Sequence, residues 1–368
     1  MSTPRPLRWL HLSDLHLGCP GRSRWWTVHD VFSRHLREAV AEVGAPDVVL
    51  ITGDLTHAAT REQYDEVDAL LDALVSWCGS APIVIAVPGN HDVQPPKRRR
   101  TYMVLRELHR GRDDPAVAEL LDELWTDRDA EFIEPLFAEY SAWLDRRVLA
   151  QGSEHVRVTK SHFPGDLTVE LDLPGVVPAR FVGLNTAWCQ YTGTDDAAES
   201  YRGRLDVSLE QYHAALGARA GENPYARLRE DARATVLLMH HPLAWLSPLA
   251  RQRYFEGIHD PEHITICLHG HLHEARTEYL SVAGGRPRYY FQAPSLFGLE
   301  NYGHANEKRE TGYALGELSA NGELRVWPFK GETKGDGALG FDRDTAFYWG
   351  SRGVVIRESP QTRASDRP

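Results

Sequence analysis

The sequence predicts an α/β fold in which a largely parallel sheet carries helices on its faces. Three short runs rich in Val, Ile and Leu, at residues 7–12, 47–52 and 83–87, are almost continuously apolar, as in strands buried on both faces. The segments between them, 27–43 and 60–78, instead carry apolar residues at helical spacing. This alternation of strand and helix favours parallel strands joined by helical crossovers.

Helix starts and later strands extend this pattern. Thr60-Arg61-Glu62-Gln63 and Ser208-Leu209-Glu210-Gln211 both fit a capping box, in which a hydroxyl and an amide side chain bond the first backbone N–H groups. Apolar runs typical of strands return at residues 167–173, 180–184, 235–239, 264–268, 289–292, 313–318 and 323–329. We expect the strands after Gly298 to complete a second sheet.

The segment 97–150 shows no strand pattern and is predicted to form two or three helices. Asp114-Pro115 is typical of a helix start, and Pro135 either restarts or kinks a helix. We interpret this segment as a helical insertion or cap. The main domain then comprises residues 1–96 and 151–356, and the polar residues 357–368 are expected to form a flexible tail.

Composition excludes several classes of protein. The 368 residues are 42% hydrophobic and 25% charged, which is typical of a soluble globular protein. A net charge of −11 excludes a wholly basic surface that coats nucleic acid, although a local basic patch stays open. No apolar stretch approaches the roughly 18 residues of a membrane span, and the N-terminus lacks the apolar core of a signal peptide.

The four cysteines, at positions 19, 78, 189 and 267, show no CxxC spacing. We expect free thiols in a reducing compartment, and therefore a cytoplasmic protein.

Five short clusters of Asp, Asn and His follow predicted strands directly. They are Asp14-Leu15-His16, Gly53-Asp54-Leu55-Thr56, Gly89-Asn90-His91-Asp92, His240-His241-Pro242 and Gly270-His271-Leu272-His273. Ligands of open α/β sheets bind outside the carboxyl ends of the strands, so these loops should converge on one crevice. Carboxylate, amide oxygen and imidazole, without thiolate, are the ligand set expected for Zn, Mn or Fe. The sequence therefore predicts a metal site.

The spacing of these residues has a physical meaning. In Asp14-x-His16 and His271-x-His273, residues two apart on an extended backbone would point to the same face. A carboxylate such as Asp54 can bridge two cations, and such a pair can clamp the attacking and leaving oxygens of a phosphoryl transfer.

Together these motifs resemble the calcineurin-like metallophosphoesterase superfamily. The opening Trp9-Leu10-His11-Leu12-Ser13-Asp14-Leu15-His16-Leu17-Gly18 is particularly similar to SbcD-type repair nucleases and bacterial cyclic-nucleotide phosphodiesterases. The resemblance implies a four-layer α/β/β/α sandwich, here with a helical insertion, and a centre of two divalent metal ions (Mn, Fe or Zn).

The resemblance also assigns roles to residues. One metal would be held by Asp14, His16, Asp54 and His273, and the other by Asp54, Asn90, His240 and His271, with Asp54 and a hydroxide bridging both. His240 rather than His241 is the implied ligand, and we assign His241 to substrate binding. His91 matches a histidine that contacts the scissile phosphate and acts as a general acid, and Asp92 is expected to orient it.

Two loops are candidates for substrate binding. Arg22-Ser23-Arg24-Trp25-Trp26 and Lys97-Arg98-Arg99-Arg100 both follow the ligand motifs, and arginines with aromatic residues can hold phosphates and stack bases. We therefore predict that Arg22, Arg24, Trp25, Lys97 and Arg98 bind substrate, and that Trp188 and Tyr191 line the same crevice. A solvated helix start, or tryptophans that pack the first helix, would explain the two loops equally well.

Three functions fit this sequence. A phosphodiesterase that hydrolyses nucleotides or nucleic acid, including a nuclease, is favoured by the basic and aromatic loops. A phosphomonoesterase, including a protein phosphatase, would need a short open cleft. A non-catalytic metal-binding scaffold is disfavoured by the complete ligand set. The motifs do not choose between DNA and a small nucleotide, and they predict neither a membrane nor a protein partner.

Overall fold

The computed structural model describes most of the chain. It covers residues 3–19, 23–110, 114, 116–117, 119, 123, 125, 130–190, 201–218, 222–223, 225, 228, 233–281, 285–297, 301–302, 307–308, 310–333, 338–350 and 353–357. The side chains of residues 23–27, 110, 301–302, 307–308 and 333 lie outside this description.

The first sheet contains the three predicted N-terminal strands, which are β1 (Leu7–Leu12), β2 (Val48–Thr52) and β3 (Ile83–Val87). They pair in parallel in that order, and α1 (Ser23–Val43) and α2 (Arg61–Cys78) connect them. The Thr60 hydroxyl accepts a bond from the Gln63 N–H at 3.4 Å, so the predicted cap is present at the start of α2.

The second sheet has seven strands in the order β4-β5-β6-β7-β8-β10-β9. Its strands are β4 (Val156–Lys160), β5 (Leu167–Leu171), β6 (Ala179–Gly183), β7 (Ala234–Leu238), β8 (Ile264–His269), β9 (Arg276–Leu280) and β10 (Arg288–Gln292). The central strands β6, β7, β8 and β10 are parallel, and the outer strands β4, β5 and β9 pair antiparallel.

The C-terminal strands do not complete the second sheet, contrary to the sequence expectation. The strands β13 (Thr311–Leu318), β14 (Leu324–Thr333), β15 (Leu339–Arg343) and β16 (Val354–Arg357) extend the first sheet, and a short pair, β11 (Asn301–Tyr302) with β12 (Glu307–Lys308), precedes them. β13 pairs antiparallel with β1, from Leu7 with Leu318 to His11 with Ala314. It takes the edge of β1 that β2 leaves free, so both sheets are mixed.

The two sheets pack face to face, with helices on their outer sides. Every residue of β2 is buried, so both faces of this strand are covered. At Gly183 on β6 an added Cβ would lie only 2.6 Å from a methyl carbon of Val87 on β3, which shows how closely the sheets approach. A helix at Leu209–Ala215, α5, covers the second sheet and is bonded to it through the Thr168 hydroxyl, which donates to the Ala215 carbonyl at 2.7 Å. The predicted four-layer α/β/β/α architecture is confirmed.

Several further helices are short. Those whose two ends are described are α3 (Arg99–Arg110), α4 (Ala138–Arg147), α5 (Leu209–Ala215) and α6 (Pro248–Arg253), together with 3-10 turns at Asn90–Asp92, Glu134–Phe137, Leu149–Gln151 and Leu243–Trp245 and a π-helical turn at Tyr254–Ile258. Ser208 caps α5 in a capping box with Gln211, as its sequence predicts. No helix within the described residues is long and apolar enough to span a membrane.

The helical segment 97–150 is anchored to the first half of the fold at its C-terminal end. Pro135 is the second residue of the 3-10 turn Glu134–Phe137 that leads into α4, so it lies where a helix restarts. The Tyr140 hydroxyl donates to the Ala86 carbonyl of β3 at 3.0 Å, and the Trp143 indole N–H donates to Asp68 of α2 at 2.9 Å. The helix α4 therefore forms part of the outer layer beside α2. None of the four cysteines, all of which lie within the described residues, forms a disulfide, and Cys78, Cys189 and Cys267 are buried.

Candidate metal centre

The predicted ligands meet where strands of the two sheets end. Asp14 and His16 follow β1, Asp54 follows β2 and Asn90 follows β3, whereas His240 follows β7 and the other two histidines follow β8. Four groups of donor atoms each fall within 4.8 Å: Asp14, His16 and His273; Asp14, Asp54 and His240; His240, His241 and His271; and His16, His57 and His91. Residues from both sheets thus form one cluster.

On one side of the cluster, His273 Nε2 lies 3.1 Å from Asp14 Oδ1 and 3.4 Å from His16 Nε2. His16 Nε2 is also 3.9 Å from Asp54 Oδ2. On the other side, His240 Nε2 lies 3.4 Å from the same Asp54 oxygen and 3.2 Å from Asn90 Oδ1. Asp54 therefore stands between the two sets of donors, as a bridging carboxylate would.

The spacing of the imidazole nitrogens fits a divalent cation. His240 Nε2 and His271 Nδ1 are 3.2 Å apart, and His16 Nε2 and His273 Nε2 are 3.4 Å apart. Two nitrogens that bind one tetrahedral Zn²⁺ at about 2.0–2.1 Å lie about 3.4 Å apart. Asp14 Oδ1 is also buried without a hydrogen bond, so it has a lone pair to offer. The donor set and its spacing therefore suit metal binding.

The backbone at five of the seven candidate ligands is left-handed and not extended, which corrects the sequence expectation for the Asp-x-His and His-x-His pairs. Positive φ angles occur at Asp14 (52°), His16 (44°), Asp54 (52°), His271 (74°) and His273 (55°), and Ala59 is the other non-glycine residue described with one. Such a conformation is strained for a residue with a side chain and is retained where the surroundings impose it. The strained positions thus coincide with the site.

Hydrogen bonds between the loops hold this conformation. The Asp14 N–H donates to the Gly53 carbonyl at 3.1 Å, and the His16 N–H donates to the Asp54 carbonyl at 3.0 Å. The His271 N–H donates to Asp14 Oδ2 at 3.1 Å. Next to it, Gly270 is required because an added Cβ would overlap the Ser13 hydroxyl. The loops after β1, β2 and β8 are therefore fixed against one another.

The Asp92 carboxylate connects the loops after β2 and β3. One of its oxygens accepts bonds from the Thr56 N–H at 3.2 Å, the Thr56 hydroxyl at 3.1 Å and the Tyr64 hydroxyl at 3.0 Å. The other accepts from the Leu55 N–H at 3.1 Å and the Gly89 N–H at 3.0 Å. Burial, with the nearby charge of Asp54, raises the pKa of Asp92 to about 6 despite these donors.

The expected role of Asp92 in orienting His91 falls to the His57 carbonyl instead. His91 Nδ1 lies 2.9 Å from that carbonyl, whereas both oxygens of Asp92 are engaged by the donors of the loops. Because a carbonyl oxygen can only accept, Nδ1 of His91 carries a proton. The His91 N–H also donates to Asp54 Oδ1 at 2.7 Å, which ties this histidine to the centre of the cluster.

His57 is a site residue that the sequence analysis missed. Its ring stacks on that of His91, with centroids 5.4 Å apart and planes inclined at 27°. A ring nitrogen of His57 lies within 4.8 Å of nitrogens of His16 and His91. The available signal was its position directly after Gly53-Asp54-Leu55-Thr56.

The predicted substrate-binding residues have mixed outcomes. Arg22 lies outside the described residues, and Arg24 and Trp25 fall in the first turn of α1, where their side chains are not described. Lys97 and Arg98 are exposed immediately before α3. His241 is fully buried and directly adjoins the cluster, with its ring 4.5 Å from that of His271.

Trp188 does not line a crevice, contrary to the sequence prediction. Its side chain is only 1% exposed and packs edge-to-face against Trp125 and Phe163. Its indole N–H donates to the Asp206 carbonyl at 3.2 Å. Tyr191 lies outside the described residues.

Charges within the cluster shift several pKa values. Burial opposes ionisation of Asp14 and Asp54, but the imidazoles around them hold the pKa of both carboxyls below the usual range. Burial lowers the pKa of His16, His241 and His271, which are therefore neutral near pH 7. His240 differs, because Asp54 outweighs the effect of burial and raises its pKa to about 9.

A model of the calcineurin-like phosphoesterase family matches residues 7–275. The chain therefore belongs to this family. Among solved structures it is similar to a dimetal phosphatase from Danio rerio, with 12% identity, a TM-score of 0.45 and coverage of 92% of this chain and 98% of that one. It is also similar to Vps29 from Chaetomium thermophilum, with 10% identity, a TM-score of 0.32 and coverage of 92% and 96%.

Metal binding should release protons from the metal-free protein near neutral pH. His240, with a pKa of about 9, is protonated at pH 7.5 and must lose that proton before its nitrogen can bind a cation. We expect the apparent affinity for Zn²⁺ to rise about tenfold per pH unit between pH 7 and 9. Calorimetry in two buffers with different ionisation enthalpies measures the released protons. Equal heats in both buffers would contradict this assignment.

Replacement of Asp92 by Asn should destabilise the protein. The new NH₂ group would face N–H and O–H donors, so we expect Asp92→Asn to lower the free energy of unfolding by about 2–4 kcal/mol. Urea denaturation of the metal-free protein at pH 8 measures this loss. Asp65→Asn, whose side chain is 62% exposed, is the control and should change stability by less than about 0.5 kcal/mol. Equal free energies of unfolding for the two variants would contradict the conclusion that the Asp92 carboxylate holds the loops after β2 and β3 together.

Proposed function

We propose that this chain, as a member of the calcineurin-like phosphoesterase family, is a metal-dependent phosphodiesterase that hydrolyses nucleotide or nucleic-acid phosphodiesters. The observation that carries the proposal is the convergence of the seven candidate ligands in one cluster, five of them buried and His271 and His273 half-buried, with His91 beside them. Two divalent cations (Mn, Fe or Zn), when bound, supply Lewis-acid activation of water and neutralise charge on the phosphate.

Two sets of residues would hold the two cations. Asp14, His16, Asp54 and His273 hold one cation and Asp54, Asn90, His240 and His271 hold the other. Thr52 supports this arrangement, because its carbonyl lies 2.7 Å from His240 Nδ1. That contact places the Nδ1 proton away from the cluster and directs Nε2 towards Asp54 and Asn90, as is usual for a metal-binding histidine.

His91 acts on the leaving group. Its Nδ1 proton is committed to the His57 carbonyl, so only Nε2 is available for proton transfer. In the imidazolium form this nitrogen donates a proton to the oxygen that leaves phosphorus. The ring is 5% exposed and lies 4.6 Å from the ring of His16, next to the first set of ligands.

A diester substrate is supported by the basic segment that follows the ligand loop. Lys97, Arg98, Arg99 and Arg100 are all exposed, and they begin five residues after Asp92. Exposed positive charge that follows the ligand loop in the chain favours a substrate that continues as a phosphate chain or carries further phosphates. A phosphomonoester makes no use of this segment.

Diesterase activity should depend on the cluster. Protein reconstituted with Mn²⁺ should hydrolyse bis-p-nitrophenyl phosphate faster than p-nitrophenyl phosphate. Asp54→Ala should abolish turnover, because both sets of ligands lose a carboxylate, whereas the exposed His155→Ala should leave kcat unchanged. Turnover of the monoester alone would indicate a phosphatase. Absence of turnover with metal bound would refute the proposal.

The general-acid role of His91 should depend on the leaving group. We expect His91→Ala to lower kcat by about 10²–10⁴ for a dinucleotide, whose alkoxide leaving group needs a proton. The loss should be much smaller for the p-nitrophenyl diester, because nitrophenolate leaves without one. Metal content, measured by atomic emission, serves as the control and should stay unchanged. Equal losses on both substrates would exclude proton donation by His91.

A further inference from the structure

His241 lies beside the candidate ligands but is held differently from them. It is fully buried, and its ring lies 4.7 Å from that of His240 and 4.5 Å from that of His271. Trp245 packs against both His241 and His271, with ring centroids 5.7 Å and 4.1 Å away, and so fixes the two rings together. The function proposed above gives His241 no part.

The partner of Nδ1 distinguishes His241 from its neighbour. His240 Nδ1 faces the carbonyl of Thr52, which can only accept a hydrogen bond. His241 Nδ1 faces the hydroxyl of Thr186 at 2.9 Å, and a hydroxyl can donate as well as accept. The same hydroxyl oxygen already accepts the backbone N–H of His241 at 3.2 Å.

These contacts select one tautomer of His241. The Thr186 hydroxyl has a single proton, and within the described residues its only recorded acceptor is His241 Nδ1. If Nδ1 carried a proton instead, the hydroxyl would accept twice and its own proton would be buried without a partner, which is unfavourable. The neutral ring therefore accepts at Nδ1 and carries its proton on Nε2.

The resulting Nε2–H donor has no protein partner. His241 Nε2 is buried, and no hydrogen bond to it occurs within the part of the chain that the structure describes. A nitrogen of His241 lies within 4.8 Å of ring nitrogens of His240 and His271. The donor is thus buried and unpaired on a ring that adjoins the candidate ligands, where an oxygen that enters the cluster can accept its hydrogen bond.

We propose that the Nε2–H of His241 donates a hydrogen bond to a non-bridging oxygen of the phosphate group held on the His240 and His271 side of the centre. Thr186 is then a positioning residue, because its hydroxyl fixes the tautomer that makes His241 a donor. The inference rests on the proposed function only in taking a phosphate group as the ligand. It separates two adjacent histidines into a metal ligand and a substrate-binding residue.

The first test measures the tautomer. Two-dimensional ¹H–¹⁵N spectra of the zinc-loaded protein should show the proton of His241 on Nε2. Thr186→Val, which removes the hydroxyl, should shift protonation towards a mixture of tautomers, and Thr186→Ser, which retains the hydroxyl, should not. A proton on Nδ1 in the wild-type protein would overturn the inference.

The second test measures the affinity of the zinc-loaded protein for inorganic phosphate by calorimetry. We expect His241→Asn, which can replace Nδ1 but not Nε2, to weaken phosphate binding about tenfold or more, and His241→Gln to recover part of the loss. Thr186→Val should weaken binding by a smaller factor. Thr186→Ser should bind phosphate with the affinity of the wild type. Thr168→Val is the matched control, because it removes a hydroxyl on β5 that bonds the Ala215 carbonyl, and it should also leave the affinity for phosphate unchanged.

Zinc content separates the donor role from a ligand role. Loss of zinc from His241→Asn would make His241 a metal ligand and would overturn the inference, as would an unchanged affinity for phosphate. Neither measurement requires turnover. A wild-type protein that binds phosphate through His241 but cleaves no ester would refute the proposed phosphodiesterase and leave this inference standing.

Discussion

The candidate ligand side chains come from two separate sheets and have to converge on one site. The rest of the structure depends on the hydrogen bonds that hold their loops in place. The donors approach from the ends of β1, β2 and β3 on one side and of β7 and β8 on the other. Those that follow β1, β2 and β8 lie on left-handed backbone, which is unfavourable unless the surroundings impose it. Backbone hydrogen bonds between the loops and the fully engaged carboxylate of Asp92 impose it here.

The roles of neighbouring histidines depend on what faces Nδ1. A carbonyl faces this nitrogen in His91 and His240, so both present Nε2 without a proton in the neutral ring. A hydroxyl faces it in His241, and the ring then presents a proton instead. Identical side chains within one cluster can therefore bind a cation, transfer a proton or hold an anion. The hydrogen-bond partner of Nδ1 decides between these roles, and the spacing of the motifs does not reveal that partner.

The sequence predicts the buried parts of the fold well, because a strand that is covered on both faces is apolar throughout. Val48–Thr52 is such a strand. Arg276–Leu280 was missed because it lies at a sheet edge and is mostly exposed, so it carries no apolar run. The strand-end motifs predicted that the candidate ligand side chains converge, but they did not predict the bonds of Asp92, since its partner Leu55 is 37 residues away. Trp188 was misplaced because an aromatic residue after a strand suits a core as well as a crevice.

The cluster also joins distant parts of the chain, since the His271 N–H and the Asp14 carboxylate that accepts its bond are 257 residues apart. A cation coordinated from both sheets would act as a reversible cross-link that closes this long loop. The free energy of metal binding would then be coupled to the packing of β3 against β6, where Gly183 contacts Val87. A substitution in that contact between the sheets would consequently weaken metal retention, and chelation would loosen the interface between the sheets.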